Sequence, residues 1–153
     1  MQNKIKNWEE LCNDGENYGD EGKNLSPKEK ILFESIKDKK VLKIQDAYLF
    51  SKTGKIEEDH GPKLAEMVAN CQFIKTISSV ILTHNHLGAE GIKILVESPF
   101  LPKIKDLHLG SNNIGDEGAK IIAQAEVFSE LVTLNLECND ITAEGAKALA
   151  QSS

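Results

Sequence analysis

Three groups of side chains have types and spacings that could do chemistry. His84-x-His86, with His60 further back, carries the imidazoles of a transition-metal site, yet no acidic or thiol partner stands at a fixed spacing from them. His108 and Ser111 are a base and a hydroxyl, but no third group to orient the base is evident. Asp14, Glu16 and Gly19 fall at the first, third and sixth positions of a calcium loop, whose twelfth position needs a bidentate acid and here holds Leu25. The histidines therefore read as solvated turn residues and the acidic run as loop. No catalytic residue, cofactor or metal site is expected, and the chain reads as a non-enzyme.

Composition narrows the classes further. The chain has 153 residues, a formal net charge of -6 and 40% apolar residues, enough for one domain with its own core. All 18 basic residues are lysine, so the chain has no arginine finger and no bidentate guanidinium clamp. Net acidity without basic clusters speaks against a general nucleic-acid binder. Cys12, Cys71 and Cys138 lie far apart with no CxxC spacing, as free thiols in a reducing compartment do. The start MQNKIKNWEE lacks the apolar run of a signal peptide, and no apolar stretch is long enough to span a membrane. No membrane or nucleic-acid partner is expected, and the expected location is cytoplasmic.

The elements that position these residues come from a repeat. From Ile77, Ile104 and Leu131 the chain writes one 27-residue unit nearly three times: ISSVILTHNHLGAEGIKILVESPFLPK, IKDLHLGSNNIGDEGAKIIAQAEVFSE, and LVTLNLECNDITAEGAKALAQSS, which stops short. Apolar residues recur at its first, fourth, sixth and eleventh positions, with Asn at the ninth and Gly at the fifteenth. A fixed period of this size indicates a solenoid. The pair at positions four and six, such as Leu107 and Leu109, has the two-residue period of a short strand, and the run after each Gly is helical. Neither element can bury an apolar face alone, so copies must stack, strand on strand and helix on helix.

Asn85, Asn112 and Asn139 follow the strands, where the chain turns inward and backbone groups need partners; their amides can satisfy such groups within and between copies. Replacing Asn112 with Ala is predicted to cost about 1 to 3 kcal/mol. Gly91, Gly118 and Gly145 fall in the first helical turn, where their recurrence implies close backbone approach between units. Glu90, Glu117 and Glu144 suit helix N-termini.

Upstream the pattern loosens. Residues 1–43 read as an N-terminal cap region: a short stripe of Ile5, Trp8 and Leu11, a Gly/Asn/Asp-rich loop, and a helix opened by Ser26-Pro27-Lys28-Glu29. The repeats occupy 44–153, as an irregular unit at 44–76, units at 77–103 and 104–130, and a partial one at 131–153. In the irregular unit Ile44, Ala47 and Leu49 take the strand offsets, Lys52 replaces the Asn, and Gly61 matches Gly118.

The pattern Leu107-x-Leu109-x-x-Asn112-x-Ile114-x-x-x-Gly118, with its matches 27 residues before and after, resembles leucine-rich repeats of the ribonuclease-inhibitor-like class. That resemblance implies an α/β fold: a right-handed solenoid, a short horseshoe with a parallel concave sheet, convex helices and an N-terminal helical cap. It also implies a protein partner held on the concave face. Such repeats occur in an activator of the GTPase Ran and in effectors that intracellular bacteria deliver into host cells. Lysine without arginine, with abundant Asn and Ile, fits an AT-rich bacterial genome and favours the effector reading, with action in a host cytosol; regulation of a small GTPase is the alternative.

Alternation assigns the outward strand residues to rows: Asp46, Ser79, Asp106, Thr133; then Tyr48, Ile81, His108, Asn135; then Phe50, Thr83, Gly110, Glu137. Tyr48, Phe50, Ile81 and His108 are the expected anchors for a partner, with Asp46, Asp106 and Glu137 steering a basic one. An N-terminal segment folded over the aromatic residues is the competing reading. The short last copy leaves a strand edge open: either the chain is cut there or that edge self-associates.

Overall fold

The computed structural model describes residues 41–44 and 60–152. Four strands, β1 (Val41–Lys43), β2 (Ser79–Ile81), β3 (Asp106–His108) and β4 (Thr133–Asn135), alternate with four helices, α1 (His60–Ala69), α2 (Gly88–Val96), α3 (Gly115–Gln124) and α4 (Ala143–Ala150). The strands form one parallel sheet in the order of the sequence. Each helix packs on the next, so the fold is an α/β repeat solenoid.

One register differs from the expected one. The strand of the first unit is Val41–Lys43, with Leu42 beside Val80 and Lys43 beside Ile81, so Ile44 continues the strand and is not its first apolar position. The Ile44 N–H donates to Ile81 O, and its side chain lies in the core. The sheet thus reaches into the segment assigned to the cap, and residues 45–59, with Ala47 and Leu49, fall outside the described residues. The remainder of the 1–43 segment, including its expected helix, lies outside them too.

The core is the repeat pattern made solid. Leu42, Val80 and Leu107 form one buried row across the sheet, beside Leu82 and Leu109, with Leu87 and Ile114 beneath the turns. Helix residues Leu64, Val68, Ile92, Leu95 and Ile122 close over them. Each such side chain contributes roughly 1.5–3 kcal/mol on burial. Among the described residues nothing covers the outer side of the fourth unit, where Leu134 is 38% exposed and Val132 80%.

The asparagines behave as expected, and each links two repeats. Asn112 Nδ2 donates to Leu82 O of the preceding unit at 2.7 Å and to Leu109 O of its own at 2.9 Å. Its Oδ1 accepts from Asn85 N at 3.0 Å and Leu87 N at 3.4 Å. Asn139 repeats this toward Asn112 and Ile114, and Asn85 reaches back to Ile44 O. Flanking each Asn are two residues in the left-handed region: His84 and His86, Ser111 and Asn113, Cys138 and Asp140, with φ of 52–59°. This doubled left-handed step turns the chain from strand to helix while aiming the Asn amide inward.

The glycines divide. A Cβ at Gly61 would overlap the backbone carbonyl of His86 in the next unit, so there the expected close backbone approach holds, whereas one at Gly145 would come within 2.5 Å of a side-chain atom of the preceding unit, Asp116 Oδ1. At Gly91 and Gly118 the nearest obstacle is instead a side chain of the same unit, Leu87 or Ile114, while Ala65 and Ala89 of the preceding unit lie at ordinary contact distance.

Candidate functional site

The strand residues turned away from the helices form the open face of the sheet, since side chains alternate across a strand. The pairing lines up Val41, Ser79, Asp106 and Thr133 in one row and Lys43, Ile81, His108 and Asn135 in the next. Ile81, Asp106 and His108 are half-buried, and Lys43 is exposed. In the third row Glu137 is exposed, and a Cβ on Gly110 would have Thr83 Cγ2 and Asn135 Oδ1 at 3.6 and 3.4 Å.

The structure therefore brings together Ile81, His108 and Asp106, with Glu137 further along the face. Asp46, Tyr48 and Phe50 lie outside the described residues. The sheet positions expected for Asp46 and Tyr48 are taken by Val41 and Lys43, so Ile81 stands between a lysine and His108. The predicted apolar cluster becomes a mixed one along the described rows.

The histidines come together only in part, and His60 is not the solvated turn residue expected, since it opens α1 and is buried. His84 is exposed at its turn, whereas His86 Nδ1 lies 3.0 Å from Asn113 Oδ1 and its ring meets that of buried His60 edge-on, with centroids 5.3 Å apart. Among the described residues no three His, Cys, Asp or Glu side chains are grouped to hold a metal. Ser111 sits at a left-handed turn position, with its N–H donating to Glu137 O at 2.8 Å, as the repeat requires of that position.

Sequence reasoning missed one charged contact. Asp116, at the start of α3, reaches into the next unit: Oδ1 accepts from Thr142 N at 2.7 Å and Gly145 N at 2.9 Å, and Oδ2 from the Thr142 hydroxyl at 2.6 Å. A carboxylate thus caps the N-terminus of α4, where the helix dipole favours negative charge. The Thr142 hydroxyl first, then its N–H, holds the Asp116 carboxyl below the ordinary 3.8. The signal was available, because Thr142 replaces the glycine found at Gly88 and Gly115, and Asp116 stands where the preceding unit has Ala89. Beside it Lys120 pairs with Glu144 across the same repeat boundary, at the surface.

Parallel strands one repeat apart, helices on one face and an Asn ladder at the turns define a leucine-rich repeat architecture. Residues 74–96, 100–123 and 130–150 each match the Leucine Rich repeat family, and over this region the chain is a leucine-rich repeat protein. A comparison with the curated proteins finds no match. Repeats of this family generally mediate protein–protein interaction and are typically non-enzymatic.

Proposed function

We propose that this chain is a non-enzymatic binding module that holds a protein partner on the concave face of a right-handed, ribonuclease-inhibitor-like horseshoe. The observation that carries this reading is the row through Ile81 and His108: these side chains stand on the face away from the helices, where the core does not need them, and Ile81 is apolar. Asp106 and Glu137 supply charge that steers a basic partner, with Asp46 a further contributor. Tyr48 and Phe50 extend the anchor set; the competing role for them is contact with an N-terminal cap.

The test is capture from cell lysate, comparing wild type with an Ile81→Ala/His108→Ala double variant and separately with Tyr48→Ala/Phe50→Ala. Capture lost at near-unchanged stability, within about 0.5 kcal/mol, is the expected result. Equal capture by all three overturns the reading. A Tyr48/Phe50 variant destabilised by several kcal/mol assigns those two to the cap. Captured partner that resists added salt removes the steering role.

In this reading the protein is a host-directed bacterial effector acting in the host cytosol; action in the cytoplasm of its own cell is the alternative location. Regulation of a small GTPase is the second reading; it requires faster GTP hydrolysis on addition of the chain, which would have to arise without an arginine finger. The open edge of the last repeat adds self-association, supported by exposed Val132 and Leu134.

A further inference from the structure

On the open face of the sheet the described charges are sorted by end. The middle row takes Lys43 from β1, Ile81 from β2, His108 from β3 and Asn135 from β4. Asp106 stands two residues before His108 on the same face, and Glu137 two residues after Asn135. The first unit therefore presents a cation, the third and fourth present carboxylates, and Ile81 lies between them. Lys43 and Glu137 are exposed and Asp106 is half-buried. None of these three side chains is in an ion pair with another described residue, so their charges are not neutralised within the repeats. Asn135 Oδ1 accepts from Glu137 N at 3.0 Å, which ties that carboxamide to its own turn. Ile81 and His108 remain as the described side chains of the row on which a partner can rest.

The spacing of these groups decides what fits. Neighbouring strands lie about 4.8 Å apart, so β1 is about 10 Å from β3 and about 14 Å from β4. Both separations exceed the Debye length of about 8 Å at physiological ionic strength, so the two ends act on different parts of a bound molecule. A uniformly basic segment is repelled at Lys43, and a uniformly acidic one at Asp106 and Glu137. A helix laid across the strands offers one side chain per turn of about 5.4 Å, close to the strand spacing, whereas an extended segment puts same-face side chains about 6.8 Å apart. We infer that the open face takes an amphipathic helix of a partner protein whose two ends carry opposite charge. Its carboxylate lies over Lys43, its apolar side chain rests on Ile81, and its lysine or arginine lies over Asp106 and Glu137. The charges fix which end of the helix lies over which repeat; either chain direction satisfies them.

This inference rests on the concave-face reading and narrows its basic partner to one that is basic at one end and acidic at the other. The probe is a display library of single amphipathic helices, randomised at positions one turn apart and selected on the full chain. Wild type should enrich helices with Asp or Glu at one end of that stripe, an apolar residue within it, and Lys or Arg at the other end. Lys43→Glu should weaken their binding about threefold to tenfold. Exchanging the acidic position of a selected helix for Lys should then restore binding to Lys43→Glu and fail to restore binding to Glu137→Lys. Both protein positions are exposed, so neither exchange puts folding at risk. Enrichment of stripes basic at both ends, or helices indifferent to Lys43→Glu, overturns the two-ended partner while the concave-face reading stands. Helices held equally well by the Ile81→Ala/His108→Ala variant overturn that reading and this inference together.

Discussion

Removing the central amide of the asparagine ladder is the most direct probe of what joins the repeats. Asn112 is fully buried, donates to Leu82 O, Leu109 O and Gly110 O, and accepts from Asn85 N and Leu87 N. Asn112→Ala leaves two buried N–H groups without their acceptor and strips a donor from carbonyls of two repeats. Each buried group left unsatisfied costs about 1–3 kcal/mol. With two such N–H groups and a small cavity, the expected loss is about 3–5 kcal/mol, above the about 1 to 3 kcal/mol expected from the sequence for this replacement. That is a large share of the roughly 5–15 kcal/mol that holds a domain folded. Urea unfolding followed by circular dichroism measures it, with the slope checked for loss of two-state behaviour, as repeat arrays can lose cooperativity. Asn112→Ala should also couple to Asn139→Ala, because Asn112 N donates to Asn139 Oδ1. A loss under about 1 kcal/mol, or strict additivity of the two, would refute the ladder as the joint between units.

Two further outcomes follow from contacts between units. Gly61→Ala forces a methyl into the His86 carbonyl, a backbone atom that cannot swing aside, and should cost about 1–3 kcal/mol in the same unfolding assay; the matching change at Gly88, where a Cβ meets nothing within 4 Å, tests left-handed strain without a clash. Because the folded state depresses the Asp116 carboxyl below 3.8, its contribution is fully present above that value and is lost as pH falls through the depressed one. Asp116→Asn should therefore lower the thermal midpoint at pH 7, with the gap to wild type closing in strong acid; a gap constant with pH would refute the capping role.

Much of this fold was legible in order. The unit from Ile77 onward could be placed residue by residue, because stacking needs Leu, Asn and Gly at the same offsets every time and the period makes them visible. The first unit was not legible in the same way. The run Val41–Phe50 holds two apolar alternations, Leu42 with Ile44 and Ala47 with Leu49, and a period of two cannot choose between them. Hydrogen bonding to β2 chose the earlier one. That choice also replaced Asp46 and Tyr48 by Val41 and Lys43 in the described rows of the candidate site.

By itself, then, the amino-acid sequence determined the architecture: a repeated strand, inward Asn and helix admit one way of burying their apolar positions, which is to stack on a copy of themselves. It also determined which strand residues of the regular repeats face away from the core, since alternation follows from the extended backbone. Contacts between residues distant in sequence lay beyond it. The pairing of Lys43 with Ile81 and the meeting of the His60 and His86 rings depend on which neighbour a repeat has and how closely it approaches. Those are properties of the stacked chain, because a periodic pattern specifies that units meet but leaves to their packing which variable side chains touch across the joint.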